Sequence, residues 1–292
     1  MLSNDFKASI DTSQLGQEMV GFGGAMTHSS AYLIFHHAER DTIMTKLFGP
    51  VEMGGAGISM IRVPLAPGSS FMPADPYIYI NDNDDTLESF TIEPDRDYML
   101  PILQQALNIN PNLKFLATAW TAPSFMKDKN RLFGGDFLDQ YTDTYSSYLS
   151  MIVAAYRNEG IVFGYMTTQN EPKHTANGYP SMGMTSDQQK ALVITLKPKL
   201  IAAGLSTEII LYDHNWEDLE YARNILSDTD TYDAVDGTGF HCYGGNFWDP
   251  ANLTVDFPEK SIYFTECTGQ SGNDIWGPNT LKWHQGNNFL KF

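Results

Sequence analysis

The sequence predicts an α/β fold built on parallel strands. Short apolar segments alternate with amphipathic ones along the chain. The apolar segments are close to continuously hydrophobic, as strands are when helices cover them. Polar and aromatic residues gather at their C-terminal ends, the edge where parallel α/β folds bind ligands.

Seven segments read as strands: EMVGFGGAM (18–26), GISMIRVPL (57–65), NLKFLATAW (112–120), VFGYMTTQNE (162–171), TEIILYDHN (207–215), AVDGTGFHCY (234–243) and SIYFTEC (261–267). Helical spacing of apolar residues falls between them, in HHAERDTIMTKLFG, RDYMLPILQQALNIN, DFLDQYTDTYSSYLSMIVAAYRNEG, SDQQKALVITLKPKLIAAG and WEDLEYARNILSD. Ser186 reads as the N-cap of the fourth of these. LKWHQGNNFLKF, at the end, reads as a further helix. Repetition of strand, helix, strand means crossovers joining parallel strands, which leaves a (β/α)₈ barrel or an open doubly wound sheet. No G-x-G-x-x-G follows the first strand, and no phosphate-binding Walker sequence occurs.

With 292 residues, 42% of them hydrophobic and only 18% charged, the chain can bury a large core. A net charge of −17 repels phosphate backbones, so no nucleic-acid partner is expected. No apolar run is long enough for a transmembrane segment, and MLSNDFKASI lacks the apolar core of a signal peptide. The two cysteines, Cys242 and Cys267, show no metal-ligand spacing, so no metal and no cofactor are expected. Strand alternation turns both away from the pocket; they read as free, buried thiols, with a bond between the ends of adjacent strands as the alternative. The acidic segment NDNDDTLE reads as a solvated loop rather than a calcium loop, and Asn252-Leu-Thr254 is a lone glycosylation sequon.

The strand ends carry Arg62, Trp120, Asn170 with Glu171, Asp213 with His214, His241 with Tyr243, and Glu266. Two carboxylates at such ends, Glu171 and Glu266, are the pair that glycoside hydrolysis requires: one protonates the leaving oxygen, the other stabilises or attacks the oxocarbenium-like carbon. His241 could instead be a satisfied core histidine and Asp213 a strand-end cap. His36, His37, His174 and His284 read as surface residues.

T-T-Q-N-E-P and Y-F-T-E-C-T-G resemble the acid/base and nucleophile motifs of clan A glycosidases. G-F-G-G-A-M-T, I-R-V-P, A-W-T-A-P-S-F-M-K, G-Y-P and F-H-C-Y-G-G extend the resemblance, in order, to glycoside hydrolase family 30. That resemblance implies a (β/α)₈ TIM barrel, normally fused to a β-sandwich, that cleaves β-D-glucosidic bonds with retention. The expected substrate is a β-glucoside, glucosylceramide first with a β-1,6-glucan as the alternative, and the expected address lysosomal or secreted. A non-catalytic carbohydrate-binding remnant is the alternative. By the same resemblance Glu171 is the acid/base, Glu266 the nucleophile, and Asn170 the partner of the sugar 2-hydroxyl. Arg62 holds the nucleophile, Trp120 lines the glucose subsite, His241 and Tyr243 flank the nucleophile, and Tyr179 lies in the rim. Arg62 is expected to keep Glu266 charged, and Glu266 to raise the pKa of Glu171.

Several positions depart from the family pattern. His28 stands where an Asp is usual, and the glucose-binding Asp of the loop after the second strand falls at Asn81 or Asp82. With seven strands found and no sandwich, residues 1–292 read as a catalytic barrel domain that is incomplete at its C-terminus.

Overall fold

A computed structural model describes residues 11–65 and 76–268. Its strands are β1 (Gly23–Ala25), β2 (Met60–Leu65), β3 (Lys114–Ala119), β4 (Phe163–Thr167), β5 (Glu208–Asn215), β6 (Gly237–His241) and β7 (Ser261–Glu266). Each lies inside a segment the sequence marks. The helices are α1 (His28–Phe35), α2 (Arg40–Phe48), α3 (Met99–Ile109), α4 (Thr142–Asn158), α5 (Ser186–Ala202), α6 (Leu219–Leu226), α7 (Thr229–Ala234) and α8 (Ala251–Asp256). Helices α1, α7 and α8 lie outside the periodic segments; α7 and α8, of six residues each, are too short to display a period. The C-terminal segment LKWHQGNNFLKF and His284 lie outside the described residues. Helix α5 opens one residue earlier than expected. Thr185, not Ser186, is its N-cap, because its hydroxyl accepts from the Gln188 N–H while the Gln188 side chain returns the bond to the Thr185 N–H.

All seven strands are parallel and pair in chain order, β1 to β7. The order never reverses, which excludes the doubly wound alternative. Strand curvature follows from one contact. Arg62 on β2 reaches Glu266 on β7 at 2.7 Å. In a flat sheet five spacings would separate those strands by roughly 24 Å, further than two side chains can bridge. The sheet therefore curls round on itself, as a barrel wall does.

Alternation along the strands sorts residues to two sides of that wall. Ile61, Val63, Phe115, Ala117, Phe163 and Met166 join the core under the helices, against side chains such as Leu149, Ile152, Val153, Leu192 and Leu196. Leu116, Ile210 and Tyr263, from β3, β5 and β7, form a separate inner cluster with Met60 and Tyr165 packed on it. Inward layers from alternate strands are how a (β/α)₈ barrel fills its interior. Above this apolar plug the inward positions turn polar, and the site lies there.

Two polar anchors fix the loops around the mouth. Lys127 is buried, and its ammonium donates to the carbonyl oxygens of Leu132, Gly134 and Ser181. Asp95, also buried, accepts from the hydroxyls of Tyr77, Tyr79 and Tyr156. His28 completes that cluster, with Nε2 3.3 Å from Asp95. A carboxylate at position 28 would face another carboxylate, whereas the imidazole offers a donor.

The thiol expectation is overturned: Cys242 and Cys267 form a disulfide, with Cα atoms 5.3 Å apart. The reason is register. His241 and Glu266 are paired across β6 and β7, so the next residue on each strand occupies matching positions on one face. Neighbouring parallel strands place such residues within bridging distance. The bridge spans 25 residues of chain. Replacing both cysteines, Cys242→Ala with Cys267→Ala, is expected to lower stability by about 3–4 kcal/mol through released loop entropy. Calorimetry of the double variant, compared with the unsubstituted protein in reductant, checks this, and the two midpoints should fall together.

Candidate active site

The site is assembled from the C-terminal ends of β4, β5, β6 and β7 and from Arg62, which lies within β2 rather than at its end. Simple alternation would give each strand end one inward side chain. Two irregularities change that. On β5 the register shifts between Tyr212 and His214, and Asp213 is the extra residue. Between β6 and β7 the pairing passes from Phe240↔Phe264 to His241↔Glu266, so Thr265 is extra. Bulges of this kind re-aim side chains. They let Asp213, Thr265 and Glu266 all meet the same group of partners.

Asp213 is at the centre. It has no solvent exposure and accepts from four side chains. Arg62 Nη2 (3.0 Å) and Thr167 Oγ1 (2.7 Å) bond one oxygen; His241 Nε2 (3.0 Å) and Thr265 Oγ1 bond the other. Gly239 beneath it leaves room, since a Cβ there would lie 3.3 Å from Asp213 Oδ1 and 3.1 Å from Thr265 Cγ2. Burial alone would raise the Asp213 carboxyl, but Arg62 and His241 overcome it and hold the group far below the ordinary carboxylate range.

From this carboxylate two arms lead to the two glutamates. Arg62 also donates to Glu266 Oε2 at 2.7 Å and to Asn170 Oδ1 at 2.7 Å. Because guanidinium only donates, Asn170 must present its oxygen there, leaving the Nδ2 hydrogens for other partners. Tyr243 Oη donates to the other oxygen of Glu266 at 3.0 Å. His241, fully buried, places Nδ1 3.0 Å from Glu171 Oε1 and 4.0 Å from Glu266 Oε1. Two oxygens within those distances of one nitrogen lie no more than about 7 Å apart, inside the range in which paired carboxylates act on one glycosidic bond.

Local backbone geometry holds Glu171 in place. Its φ is +45°, and Tyr212 and Asp213 have φ of +69° and +59°. Left-handed backbone at non-glycine residues is unfavourable, and neighbours must enforce it. Here the Glu171 N–H donates to the Asp213 carbonyl at 2.9 Å, and the Glu171 carbonyl accepts from His174 N–H at 2.8 Å.

The charge states follow from these contacts. Burial opposes a charged His241, but Asp213, Glu171 and Glu266 outweigh it and push the ring up to about 9. Burial raises Glu171 as well, but the hydrogen bond and charge of His241 win, and its pKa lies below the ordinary value. The expectation that Glu266 would raise Glu171 is thereby reversed: the group touching Glu171 is a cation-forming ring rather than the second carboxylate. His214, with Nδ1 3.7 Å from Glu171, is pushed down to about 4 by burial and stays neutral. Glu171, His214 and His241 each offer an atom within 4.8 Å of the others, the spacing of a cation site. The carboxylates that raise the His241 ring favour an N–H there in place of a lone pair.

Most residues the sequence marks converge. Tyr179 meets Trp120 edge-on at 5.9 Å and stacks on His174 at 6.2 Å. Its hydroxyl is raised by burial and then by the charges of Glu171 and Glu266. Trp120 is buried under this rim. His241 flanks the nucleophile candidate as expected, yet its close partner is Glu171. Asn81 and Asp82 are exposed, and among the described residues neither side chain is hydrogen-bonded to the site. His36, His37 and His174 are exposed, as read. Sequence reasoning passed over Asp213 as a linking group, and it passed over Thr167 and Thr265 altogether. A polar residue one position before His214 was the available signal.

Comparison with known proteins identifies the family. The pattern of the glycosyl hydrolase family 30 TIM-barrel domain matches residues 19–279. The chain belongs to glycoside hydrolase family 30. Within family 30 it is 30% identical to an endo-1,6-beta-D-glucanase of Trichoderma harzianum, over 96% of this chain and 59% of that protein. It is 29% identical to the lysosomal acid glucosylceramidase of Mus musculus, over 87% of this chain and 52% of the relative. A solved endo-beta1,6-glucanase superposes with a TM-score of 0.85 at 31% identity, covering 94% of this chain and 64% of that one. The chain thus spans less than two thirds of the length of these relatives.

The pH dependence of folding follows from the two arms. Depressed Asp213 contributes stability that is present above an unfolded carboxylate's ~3.9 and lost as pH falls below it. Raised His241 contributes stability that is complete below an unfolded imidazole's ~6.5 and lost as pH rises through about 9. Thermal melts should therefore peak between about pH 4 and 6.5 and decline towards pH 9, by about 3 kcal/mol for His241. In His241→Asn that decline should flatten, which melts across pH 4–9.5 will test.

Proposed function

We propose that this domain hydrolyses β-D-glucosidic bonds with retention, using Glu171 as acid/base and Glu266 as nucleophile. One observation carries the reading: a single ring nitrogen lies 3.0 Å from Glu171 and 4.0 Å from Glu266, bringing carboxylates from distant strands to one place. Glu266 accepts from Arg62 on one oxygen and Tyr243 on the other, an arrangement that favours a carboxylate ready to attack. Glu171 protonates the departing oxygen while Glu266 bonds the anomeric carbon. Glu171 then takes a proton from the water that displaces Glu266. Asn170, held through its oxygen by Arg62, offers its amide hydrogens to the sugar 2-hydroxyl. Trp120 and Tyr179 supply aromatic surface for sugar C–H groups.

The substrate we assign first is a β-1,6-linked glucan, because both the Trichoderma relative and the solved structure carry that activity in their names. Glucosylceramide is the second reading, supported by the mouse relative. A secreted or lysosomal setting fits either, and the Cys242–Cys267 bridge persists in such oxidising or extracellular compartments.

One preparation assayed on a chromogenic β-glucoside, a β-1,6-glucan and glucosylceramide tests the assignment. Turnover of the glucan with a β-configured product is expected. Glu171→Gln should lose about 10²–10⁴-fold on a substrate with a poor leaving group. In azide, Glu171→Ala should yield the β-glucosyl azide, and Glu266→Ala should yield the α-azide from an activated β-glucosyl donor. Full activity in Glu171→Gln on the poor leaving group would refute the assignment of the acid. Sugar binding with no turnover of any substrate would favour a carbohydrate-binding remnant.

A further inference from the structure

The hydrolysis proposed above needs a proton for each leaving group, and the donors and acceptors around His241 fix where that proton waits. Arg62 is a fixed cation 3.0 Å from Asp213 Oδ2, and Thr167 donates to the same oxygen, so this buried carboxyl is held ionised. An ionised Asp213 cannot donate to His241. The Nε2 of the ring therefore carries a hydrogen and gives it to Asp213 Oδ1 at 3.0 Å. The other nitrogen, Nδ1, lies 3.0 Å from Glu171 Oε1. Two lone pairs at that separation would repel, so a hydrogen sits between them, on nitrogen or on oxygen. Glu171 and His241 hold one proton on this line.

The groups facing the ring decide which atom keeps it. Asp213 faces it from β5, Glu171 from the loop after β4, and Glu266 from β7 at 4.0 Å. Tyr243, beyond the end of β6, and His214, on β5, approach ring-to-ring at 6.1 and 6.3 Å. Arg62 belongs to the same network, and its charge is taken up by Asp213 and Glu266. Three carboxylates around one buried ring favour imidazolium.

We propose that, in the hydrolysis assigned above, His241 is the resting home of the proton that Glu171 hands to the glycosidic oxygen. In the resting enzyme the pair is imidazolium and carboxylate. In the first step the Nδ1–H bond breaks as the Glu171 O–H bond forms. That proton then passes to the glycosidic oxygen as its bond to the anomeric carbon breaks and Glu266 bonds the carbon. The glycosyl-enzyme holds a neutral His241 and an ionised Glu171. In the second step water attacks the carbon, Glu266 is released, and the water's proton returns through Glu171 to Nδ1. His241 never touches substrate. It is a positioning residue that supplies the acid through Glu171.

Two measurements test this. Imidazole ¹⁵N resonances of the unsubstituted protein should show both ring nitrogens of His241 protonated at pH 7, with the Nδ1 proton lost near about pH 9. A bare Nδ1 at pH 7 would overturn the proposal. In His241→Gln, the alkaline limb of kcat/KM on an alkyl β-glucoside should fall by at least about 2 pH units, since that limb reports the free enzyme's acid. The same variant should lose at least about 100-fold more rate on the alkyl glucoside than on a dinitrophenyl β-glucoside, whose leaving group needs no acid. Equal losses on both, with the limb unmoved, would make His241 merely structural and sink the relay while leaving the glycosidase reading intact. If the unsubstituted protein cleaves no β-glucoside, the glycosidase reading fails, and the relay fails with it. If His241→Gln does not fold, the resonance experiment decides alone.

Discussion

Asp213 has no access to water, and four side chains from four other strands direct hydrogens at it. A carboxylate in that position is tolerable only while its donors stay in place. The requirement is therefore geometric: β2, β4, β6 and β7 must each present one residue to the end of β5. A seven-strand sheet meets it only by curling, and the apolar layer of Leu116, Ile210 and Tyr263 fills the space that curling encloses. Fold and site share this constraint. The same contact that satisfies a buried charge also draws Arg62 to Glu266 and His241 to Glu171.

Asp213 also makes the two glutamates unequal. Through Arg62 it belongs to a network that offers Glu266 a permanent cation. Through His241 it offers Glu171 a partner that can gain or lose a proton. One carboxylate is paired with a group that never titrates near neutrality, the other with a group that can. That is a physical basis for assigning different roles to two residues of the same type. The disulfide at Cys242 and Cys267 sits one residue beyond His241 and Glu266, and so fixes the relative advance of β6 and β7 where these two arms meet.

Much of this was legible in the sequence, and the part that was not has a common cause. Strands such as NLKFLATAW and TEIILYDHN announce themselves because both faces are covered and the run is apolar throughout. Glu171 and Glu266 stand out because a carboxylate at the end of such a run is otherwise unfavourable. Asp213 looked like a cap because its partners lie on strands up to about 150 residues away in the chain, and only curvature brings them together. Thr265 was invisible because strict alternation would turn it away from Glu266's side, and the β6–β7 irregularity cancels the alternation. The cysteine bond ranked below free thiols for the same reason: pairing depends on register, which one strand's composition does not contain. The protonation of Glu171 was misjudged because the nearest group in space, His241, comes from β6.

The left-handed backbone at Glu171, Tyr212 and Asp213 has a consequence for how such a protein can evolve or be engineered. These three backbones work against the fold, and two of them belong to residues of the candidate site. A glycine in place of Glu171 would relax its backbone but forfeit the pairing with His241, so strain relief there is bound to the loss of a buried contact. Tyr212 carries the same kind of backbone without a charge in the network, so it is the position of the three where a glycine trades strain against uncharged contacts alone.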